Sequence, residues 1–513
     1  GEVLATMWGK AKSPIPDWES EDSFDDRSLL LPSASLTTSF GSEASSGRRK
    51  QGRGSVRSST FNLVATMIGG GTLSIPYAFR SCGLVVGVVL YLIIGCASAH
   101  ALYLLIASKK FCEDARRKHR LVTTGLIMEH EDKEAPLGRQ NWSLNGDKCP
   151  TKAHHAAKWR KYGEFELNED EVVDSMASLG RVAFGRWAEL LSGFLLLLVL
   201  LLTLIAYFIL LGDALPYIVS HFAPANTSAL GGRVFTSAMA GLLVSPLCFA
   251  GSLTALRFVA QFSVMSTLFL AVAITTRSIQ HNIKTGFAGK VDLAVPNLSC
   301  LLSVILISLS FLCHFNVLTV REEMGAPTRK KIQQIVVSTI ALPIVLYCTI
   351  GIFGYLHFRE NTNQDILKNY DPSDLLLVIA HGTLSLTVTL SLPLLVNPCR
   401  KSIQVLFLGR SIESLPIRLV LTPLILGASF AVASQLDNVV VVWSFAGSTI
   451  GTACMFILPP LFFLRLRSLR HGWVGLGWWV VDRKGKAAVA LLVGGCSALV
   501  LCTYQAVAGL KDQ

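Results

Sequence analysis

Three consecutive glycines interrupt an apolar stretch near the N-terminal end of the chain. The stretch reads FNLVATMIGGGTLSIPYAF from Phe61 to Phe79, with Gly69, Gly70 and Gly71 near its centre and Pro76 shortly after them. Hydrocarbon tolerates a broken helix only where neighbouring protein or a water-filled cavity satisfies the freed main-chain groups. Freed N–H groups attract a carboxylate, and freed carbonyls attract a cation or an ammonium group. The pattern therefore predicts a discontinuous helix that lines a site for a zwitterion, although small residues also serve close helix packing.

A second apolar stretch carries polar side chains at its centre. It reads LISLSFLCHFNVLTVREEMG and contains Ser308, Ser310, His314 and Asn316. Polar groups at this depth are expected to face the protein interior, because exposure to lipid is costly. The stretch has no glycine or proline at its centre, so a break here is expected only by analogy with the glycine-containing stretch.

A third apolar stretch, DLLLVIAHGTLSLTVTLSLPLLVNP, is rich in hydroxyl groups. Steps of four residues place three of its five hydroxyls on one helix face and two on a neighbouring stripe. Hydroxyl oxygens suit Na+, but serine and threonine also bond back to their own helix or to adjacent helices. The five residues are Thr383, Ser385, Thr387, Thr389 and Ser391.

Carboxylates are missing from the centres of the long apolar runs. Asp213 and Glu189 lie at the ends of one run, so proton coupling through a carboxylate buried within a span is not expected. His314 and His381 are the groups within the runs that could titrate near neutral pH, although a lone membrane histidine is as often structural.

The cysteines and catalytic signatures point away from an enzyme. Most of the 12 cysteines lie inside apolar runs, where they act as small hydrophobes. The sequence contains no CxxC pair and no Cys/His cluster with zinc spacing, and the runs contain no HExxH or GxSxG. We therefore expect no metal, no cofactor and no enzymatic activity.

The composition and the length of the apolar runs indicate a polytopic membrane protein. Of 513 residues, 51% are hydrophobic and 16% are charged, whereas soluble domains carry about 25% charged residues. A helical span needs about 20 apolar residues. Runs of this kind predict about eleven spans, at 61–80, 84–107, 188–211, 234–251, 256–276, 299–318, 333–356, 374–396, 417–435, 439–462 and 487–508.

The loops between these runs predict the orientation of the chain. Basic residues concentrate in the loops that share a side with the N-terminal tail, and this positive-inside pattern accounts for the net charge of +12 without nucleic acid. We expect a disordered cytosolic tail at 1–59, a transmembrane domain at 60–508 with a long cytosolic loop at 109–186, and a short non-cytosolic end at 509–513. The sequon at Asn226 falls in a non-cytosolic loop, where it could be glycosylated.

The tail also carries a short sorting pattern. Asp25 to Leu30 reads DDRSLL, which fits the acidic dileucine pattern that sorting adaptors bind. Use of this pattern would favour a vacuolar or lysosomal membrane, whereas default secretion would favour the plasma membrane, and the sequence leaves the choice open.

Four ordered motifs resemble those of the amino acid/auxin permease family, which includes neutral amino acid transporters of animals and vacuolar amino acid transporters of fungi. The motifs are FNLVATMIGGGTLSIPYAFRSCG in the first span, SLSFLCHFNVL in the sixth, TVTLSLPLLVNPCR in the eighth and FAGSTIGTACMFILPPLFFL in the tenth. The resemblance implies an all-α membrane protein with eleven transmembrane helices. They would form a LeuT-like inverted repeat of five plus five helices with one extra C-terminal helix.

The same resemblance implies the positions of the ligands. Substrate would lie between the first and sixth spans, and Na+, where it is used, between the first and eighth. The implied substrate contacts are Thr66, Ile68, Gly69, Gly70, Gly71 and Thr72, with Ser310 and His314 opposite, and the implied cation contacts are Ala65, Thr389 and Ser391. Sodium-coupled members read FNLSNA, and their asparagine is Ala65 here, which leaves H+ coupling, Na+ coupling and uniport open.

The sequence therefore predicts a monomeric amino acid transporter that works by alternating access in a lipid membrane. The alternative is an amino acid sensor that binds its ligand with little transport and signals through its cytosolic tail and loop. Which amino acid is bound cannot be read from the sequence, because side-chain selectivity depends on pocket shape.

Overall fold

The computed structural model describes residues 55–123, 173–222, 232–249, 256–286, 289–324, 327–371, 373–409, 414–436, 438–471 and 482–511. The sorting pattern at Asp25 to Leu30 and the sequon at Asn226 lie outside these residues, so both stay predictions. Almost all of the described chain is helical, which confirms the predicted all-α class.

Fifteen α-helices account for most of the described residues. They are α1 Val56–Met67, α2 Ile75–Cys82, α3 Leu84–Thr123, α4 Met176–Phe184, α5 Arg186–Phe222, α6 Arg233–Cys248, α7 Leu256–Thr285, α8 Ser299–Ser310, α9 His314–Glu323, α10 Arg329–Phe358, α11 Leu375–Leu408, α12 Leu415–Ala433, α13 Val439–Phe445, α14 Leu458–His471 and α15 Arg483–Lys511. Two π-helical segments, Ala446–Gly451 and Ala453–Ile457, join α13 to α14 into one long helical run.

Within the described residues, nine helical segments are long and apolar enough to cross a membrane. The chain is therefore a multi-pass membrane protein. Two further predicted spans correspond to shorter pieces, namely the α1–α2 pair and the 16-residue α6. The predicted total of eleven spans needs both of these to cross as well, and it stays a prediction.

Several helices extend beyond the apolar runs. The second span was expected at 84–107, but α3 continues to Thr123, because leaving the hydrocarbon removes the need for apolar side chains without removing helix propensity. The helix α4 lies within the predicted loop 109–186 and packs against α5. Residues 124–172 are outside the described part of the chain, and the division into tail, loop and transmembrane domain stays a prediction.

The packing of the first helices defines the centre of the molecule. The helix α1 packs against α7, α9 and α10, whereas α2 packs against α8 and α10. The helix α5 packs against α11 and also contacts the 3₁₀ segment Gly70–Ser74 between α1 and α2. The glycine-rich stretch is therefore surrounded by helices, as expected for irregular backbone at membrane depth.

Candidate functional site

The first apolar stretch is interrupted at the predicted position. The helix α1 ends at Met67, and Ile68 and Gly69 have extended backbone conformations. A 3₁₀ segment, Gly70–Ser74, leads into α2, which has Pro76 in its first turn. Proline is favoured there because the first helical N–H groups have no intrahelical partner. The interruption contains four of the predicted substrate contacts, namely Gly69, Gly70, Gly71 and Thr72.

Side chains from other helices satisfy the carbonyls that the interruption frees. The Tyr347 hydroxyl on α10 donates to the Met67 carbonyl at 3.0 Å. The Ser263 hydroxyl on α7 donates to the Ile68 carbonyl at 3.3 Å. The Gly69 carbonyl accepts from the main-chain N–H of Thr72 at 3.1 Å and from its hydroxyl at 2.5 Å. Side chains from α7 and α10 and from the segment itself therefore stabilise an open backbone that lipid could not tolerate.

Two of the glycines differ in the space around them. A Cβ at Gly69 would overlap the hydroxyl of Tyr207 on α5, so a larger residue here would force the segment or Tyr207 to shift. A Cβ at Gly71 would have no atom of the described residues within 4 Å. Gly69 therefore marks close contact with α5, whereas Gly71 borders open space beside the interruption.

The sixth predicted span is also interrupted. The helix α8 ends at Ser310 and α9 begins at His314, with non-helical backbone at Phe311 and Cys313 between them. The break that the sequence predicted only by analogy is thus present in the fold. The first and sixth stretches also meet directly, because the Asn316 amide on α9 donates to the Thr66 hydroxyl on α1 at 3.0 Å.

The two predicted contacts in the sixth stretch have different surroundings. The Ser310 hydroxyl donates to the Ile307 carbonyl of its own helix at 2.7 Å. His314 is fully buried, and its Nε2 atom lies 3.3 Å from the Ser98 carbonyl on α3. Its Nδ1 atom is buried and has no hydrogen-bond partner among the described residues. The known contact of His314 is therefore with α3 rather than with the glycine segment.

The predicted cation residues lie on α1 and α11. Ala65 is half-buried and supplies no side-chain oxygen. The Thr389 and Ser391 hydroxyls donate to the Ser385 and Thr387 carbonyls of their own helix at 2.7 and 2.8 Å. Each oxygen retains lone pairs after donating, so this geometry is compatible with a cation but does not point to one. The Ser385 hydroxyl is buried and has no hydrogen-bond partner in the part of the chain that the structure describes.

A loop covers the interruption from the side on which α2 ends, which we call the outer side. Its 3₁₀ segment, Ile366–Asn369, packs against Gly70–Ser74, and Ile366 and Leu367 are fully buried. Asp365 precedes this segment and is 5% exposed. Burial raises the pKa of its carboxyl to about 6, although Lys368 and the Leu367 N–H group oppose the shift.

An ion-pair cluster lies beside this loop. Asp213 at the outer end of α5 pairs with Arg233 of α6 at 3.0 Å and with Lys368 of the loop at 2.8 Å. The carboxylate of Asp213 therefore joins two helices to the loop that covers the interruption.

Sequence reasoning missed Tyr207, Ser263, Tyr347 and Asp365. The first three occur in apolar runs that contain many similar residues, and no local pattern marks them. Asp365 lies in a polar loop, where a carboxylate is ordinarily exposed.

Comparison with known proteins agrees with this arrangement. The family model described as "Transmembrane amino acid transporter protein" matches residues 52–124 and 154–507. Vacuolar amino acid transporter 6 of Saccharomyces cerevisiae is 23% identical over 468 residues, covering 81% of this chain and 91% of that protein. Vacuolar amino acid transporter 5 of the same yeast is 29% identical over 216 residues, covering 39% of this chain and 46% of that protein.

A solved structure supports the fold. The crystal structure of MhsT in complex with L-phenylalanine matches with a TM-score of 0.50 and 12% sequence identity, covering 89% of this chain and 100% of that chain. At this identity the match shows the LeuT-like fold alone. The family match extends over most of the sequence, and it concerns transporters rather than enzymes. The chain therefore belongs to the transmembrane amino acid transporter family.

Proposed function

We propose that the chain moves amino acids across the vacuolar membrane by alternating access. The observation that carries this proposal is the interruption between α1 and α2, where main-chain groups lie deep among apolar helices and Gly71 borders open space. The vacuolar address rests on the names of the two yeast relatives, one of which aligns over 91% of its length.

The substrate's charged ends match the main-chain groups at the interruption. The N–H groups of Gly69, Gly70 and Gly71 precede the 3₁₀ segment or begin it, and the first N–H groups of a helix lack intrahelical partners. In this proposal they bind the carboxylate of the amino acid. Thr66, Ile68 and Thr72 complete the first-span side of the site, with Ser310 and His314 contributed by the sixth span.

Alternating access would follow from movement around this fixed site. The first and sixth stretches, joined by the hydrogen bond between Asn316 and Thr66, would move as one unit against α5 and α11. An occupied site would then open first to one side of the membrane and afterwards to the other.

The coupling ion is part of the proposal. A cation between α1 and α11 would rely on main-chain oxygen at Ala65 and on the lone pairs of Thr389 and Ser391. The absence of a side-chain ligand at Ala65 favours a proton gradient over Na+ as the driving force, because Na+ requires several oxygen ligands at once.

Uptake into proteoliposomes tests the proposal. A panel of radiolabelled amino acids is offered to the purified chain while the Na+ and pH gradients are varied separately. We expect accumulation of at least one amino acid above the level of protein-free liposomes. Binding without accumulation would contradict transport and would indicate a sensor instead.

The variant Gly71→Ala tests whether the substrate binds at the glycines. The new methyl group enters open space, so the fold is expected to keep its stability while uptake falls at least about tenfold. Unchanged uptake in this variant would contradict the placement of the substrate at the glycines.

A further inference from the structure

The loop over the interruption has the position of a lid. We call residues 359–371 the outer lid. Its segment Ile366–Asn369 lies against Gly70–Ser74, and Ile366 and Leu367 have no exposed surface. Access from the outer side to the proposed substrate site therefore requires these two side chains to leave their buried positions.

The outer lid is attached to its surroundings by polar contacts that can break and re-form. Arg80 of α2 donates to the Thr362 carbonyl at 2.9 Å, and the Tyr217 hydroxyl of α5 donates to the Asp371 carbonyl at 2.8 Å. Lys368 pairs with Asp213 at 2.8 Å. The lid is thus fixed to α2 and α5 by side chains rather than by a continuous main-chain ladder.

The first residue of the lid has a strained backbone. The backbone of Arg359 has a φ angle of +50°, which residues other than glycine rarely adopt. Such strain persists only where the surroundings impose it. Opening of the lid would release it, and this places a hinge at the junction of α10 and the lid.

Asp365 is a buried carboxylate within the lid. One of its carboxylate oxygens accepts a hydrogen bond from the Leu367 N–H group at 3.0 Å. Lys368, whose charge acts on this carboxyl, directs its ammonium group to Asp213 instead. An ionised Asp365 therefore loses hydration on closing without gaining an ion pair of its own, whereas burial of a protonated Asp365 costs much less.

We propose that the outer lid is a proton-sensitive latch, which closes with Asp365 protonated and opens with Asp365 ionised. The proton is taken from the outer solution on closing and returned to it on opening. The consequence for transport rests on the proposed function, because the covered segment is the proposed substrate site. An acidic outer compartment would then keep the outer side closed.

The direction of the pH dependence follows from linkage. Asp365 has a pKa of about 6 in the closed lid, and an exposed aspartate in the open lid has a pKa of about 3.9. The closed form therefore holds a proton over the range in which the open form has lost it. The closed-to-open ratio falls as the pH rises through this range, by about tenfold between pH 5 and pH 7.

Other charged groups also face the lid, among them Asp213, which pairs with Lys368 and raises the pKa of Asp365, and the lid's own Glu360 and Asp371. The 3₁₀ segment Gly70–Ser74 has no titratable side chain. Arg80 donates to the Thr362 carbonyl of the lid, and Arg233 pairs with Asp213. The His281 and His357 rings stack at 4.6 Å at the far end of the lid, where His357 contacts Tyr370. The variant His357→Gln separates the contribution of these histidines to the pH dependence from that of Asp365.

Hydrogen exchange of the full-length chain in lipid nanodiscs tests the latch. The measured quantity is the protection factor of the lid amides, which divides out the chemical effect of pH on exchange. We expect about tenfold greater protection of Ile366 and Leu367 at pH 5 than at pH 7. The variant Asp365→Asn is expected to be equally protected at both pH values, and His357→Gln is expected to keep the wild-type difference. A pH-independent wild type, or a pH-dependent Asp365→Asn variant, would overturn the proposal.

A second variant keeps the test decisive if Asp365→Asn does not fold. In Lys368→Met the cation that favours ionised Asp365 is gone, so the midpoint of the protection change is expected at higher pH. An unchanged or lower midpoint would contradict the latch. The experiment needs no transport, so flat protection with normal uptake would refute the latch alone. Normal pH-dependent protection without uptake would refute the proposed transport alone.

Discussion

The Tyr347 hydroxyl donates a hydrogen bond to the carbonyl oxygen of Met67, the last residue of α1, across 280 positions of sequence. Both residues are buried, and Tyr347 has no exposed surface. The bond satisfies a carbonyl that an uninterrupted helix would have paired internally. It therefore links the stability of the fold to the open backbone at the proposed site.

Removal of this hydroxyl should be costly. In Tyr347→Phe the Met67 carbonyl stays buried without its partner, so we expect a loss of about 1–3 kcal/mol in the free energy of unfolding. Thermal unfolding in detergent measures the loss. The matched control is Tyr103→Phe, since the Tyr103 hydroxyl is buried without a hydrogen-bond partner among the residues that the structure describes, so its removal leaves none of their acceptors unsatisfied. Equal losses in the two variants would contradict the role given to Tyr347.

Overlap with Tyr207 should make Gly69 intolerant of a side chain. In Gly69→Ala the new methyl group would overlap Tyr207, and overpacking of this kind costs about 1–3 kcal/mol. If the glycine segment shifts to avoid the overlap, its main-chain groups leave their positions, so we expect amino acid binding to fall by roughly ten- to a hundredfold. The double variant Gly69→Ala/Tyr207→Phe removes the overlapping oxygen and should recover part of the affinity. Equilibrium binding of the radiolabelled amino acid gives both values. Absence of any recovery would mean that the contact with Tyr207 is not the cause.

An ion pair between α3 and α9 should be asymmetric in its effect on stability. The Lys109 side chain is 3% exposed and lies 2.5 Å from Glu322, whose side chain is 51% exposed. Glu322→Gln leaves a buried ammonium group without its counter-charge, so we expect a loss of roughly 1–3 kcal/mol, below the full cost of a completely buried pair. Lys109→Met leaves a carboxylate that water can solvate, and we expect a loss below about 1 kcal/mol. Thermal unfolding at low and high salt compares the two variants, and a larger loss for Lys109→Met would contradict this view.

Replacement of Na+ should leave transport largely intact. Ala65 supplies no side-chain ligand, and the Thr389 and Ser391 hydroxyls donate within α11. We therefore expect uptake in choline to stay within about twofold of uptake in Na+ at a fixed pH gradient. A strong requirement for Na+ that disappears in Thr389→Val/Ser391→Ala but persists in Thr383→Val would show instead that these two hydroxyls coordinate the ion.

The two helix interruptions differ in how well the local sequence predicted them. Gly69 to Gly71 and Pro76 predicted the first break because helix breakers in an apolar run act on their own backbone. The second break, between Ser310 and His314, has no such residues and was expected only by analogy. There the local sequence is compatible with a continuous helix, and the packing of α8 and α9 against their neighbours decides the outcome.

The carboxylates illustrate the opposite case. The sequence argued only against proton coupling through a carboxylate within a span, because the apolar runs lack Asp and Glu at their centres, and it left H+ coupling itself open. Asp365 escaped that argument because it lies between α10 and α11, where the fold buries the loop against the glycine segment. Burial of a loop residue depends on which distant segments pack against the loop, and the local sequence does not give these contacts.

The amino-acid sequence by itself determined that the chain crosses a membrane repeatedly, where its first helix must break, and which family its motifs resemble. These properties depend on hydropathy and backbone preference over some 20 neighbouring residues. The tertiary structure decided which side chains satisfy the broken backbone, namely Tyr347 and Ser263, and which loop covers it. Those contacts join residues about 200 to 280 positions apart, and only the packing of the helices brings such residues within hydrogen-bond distance.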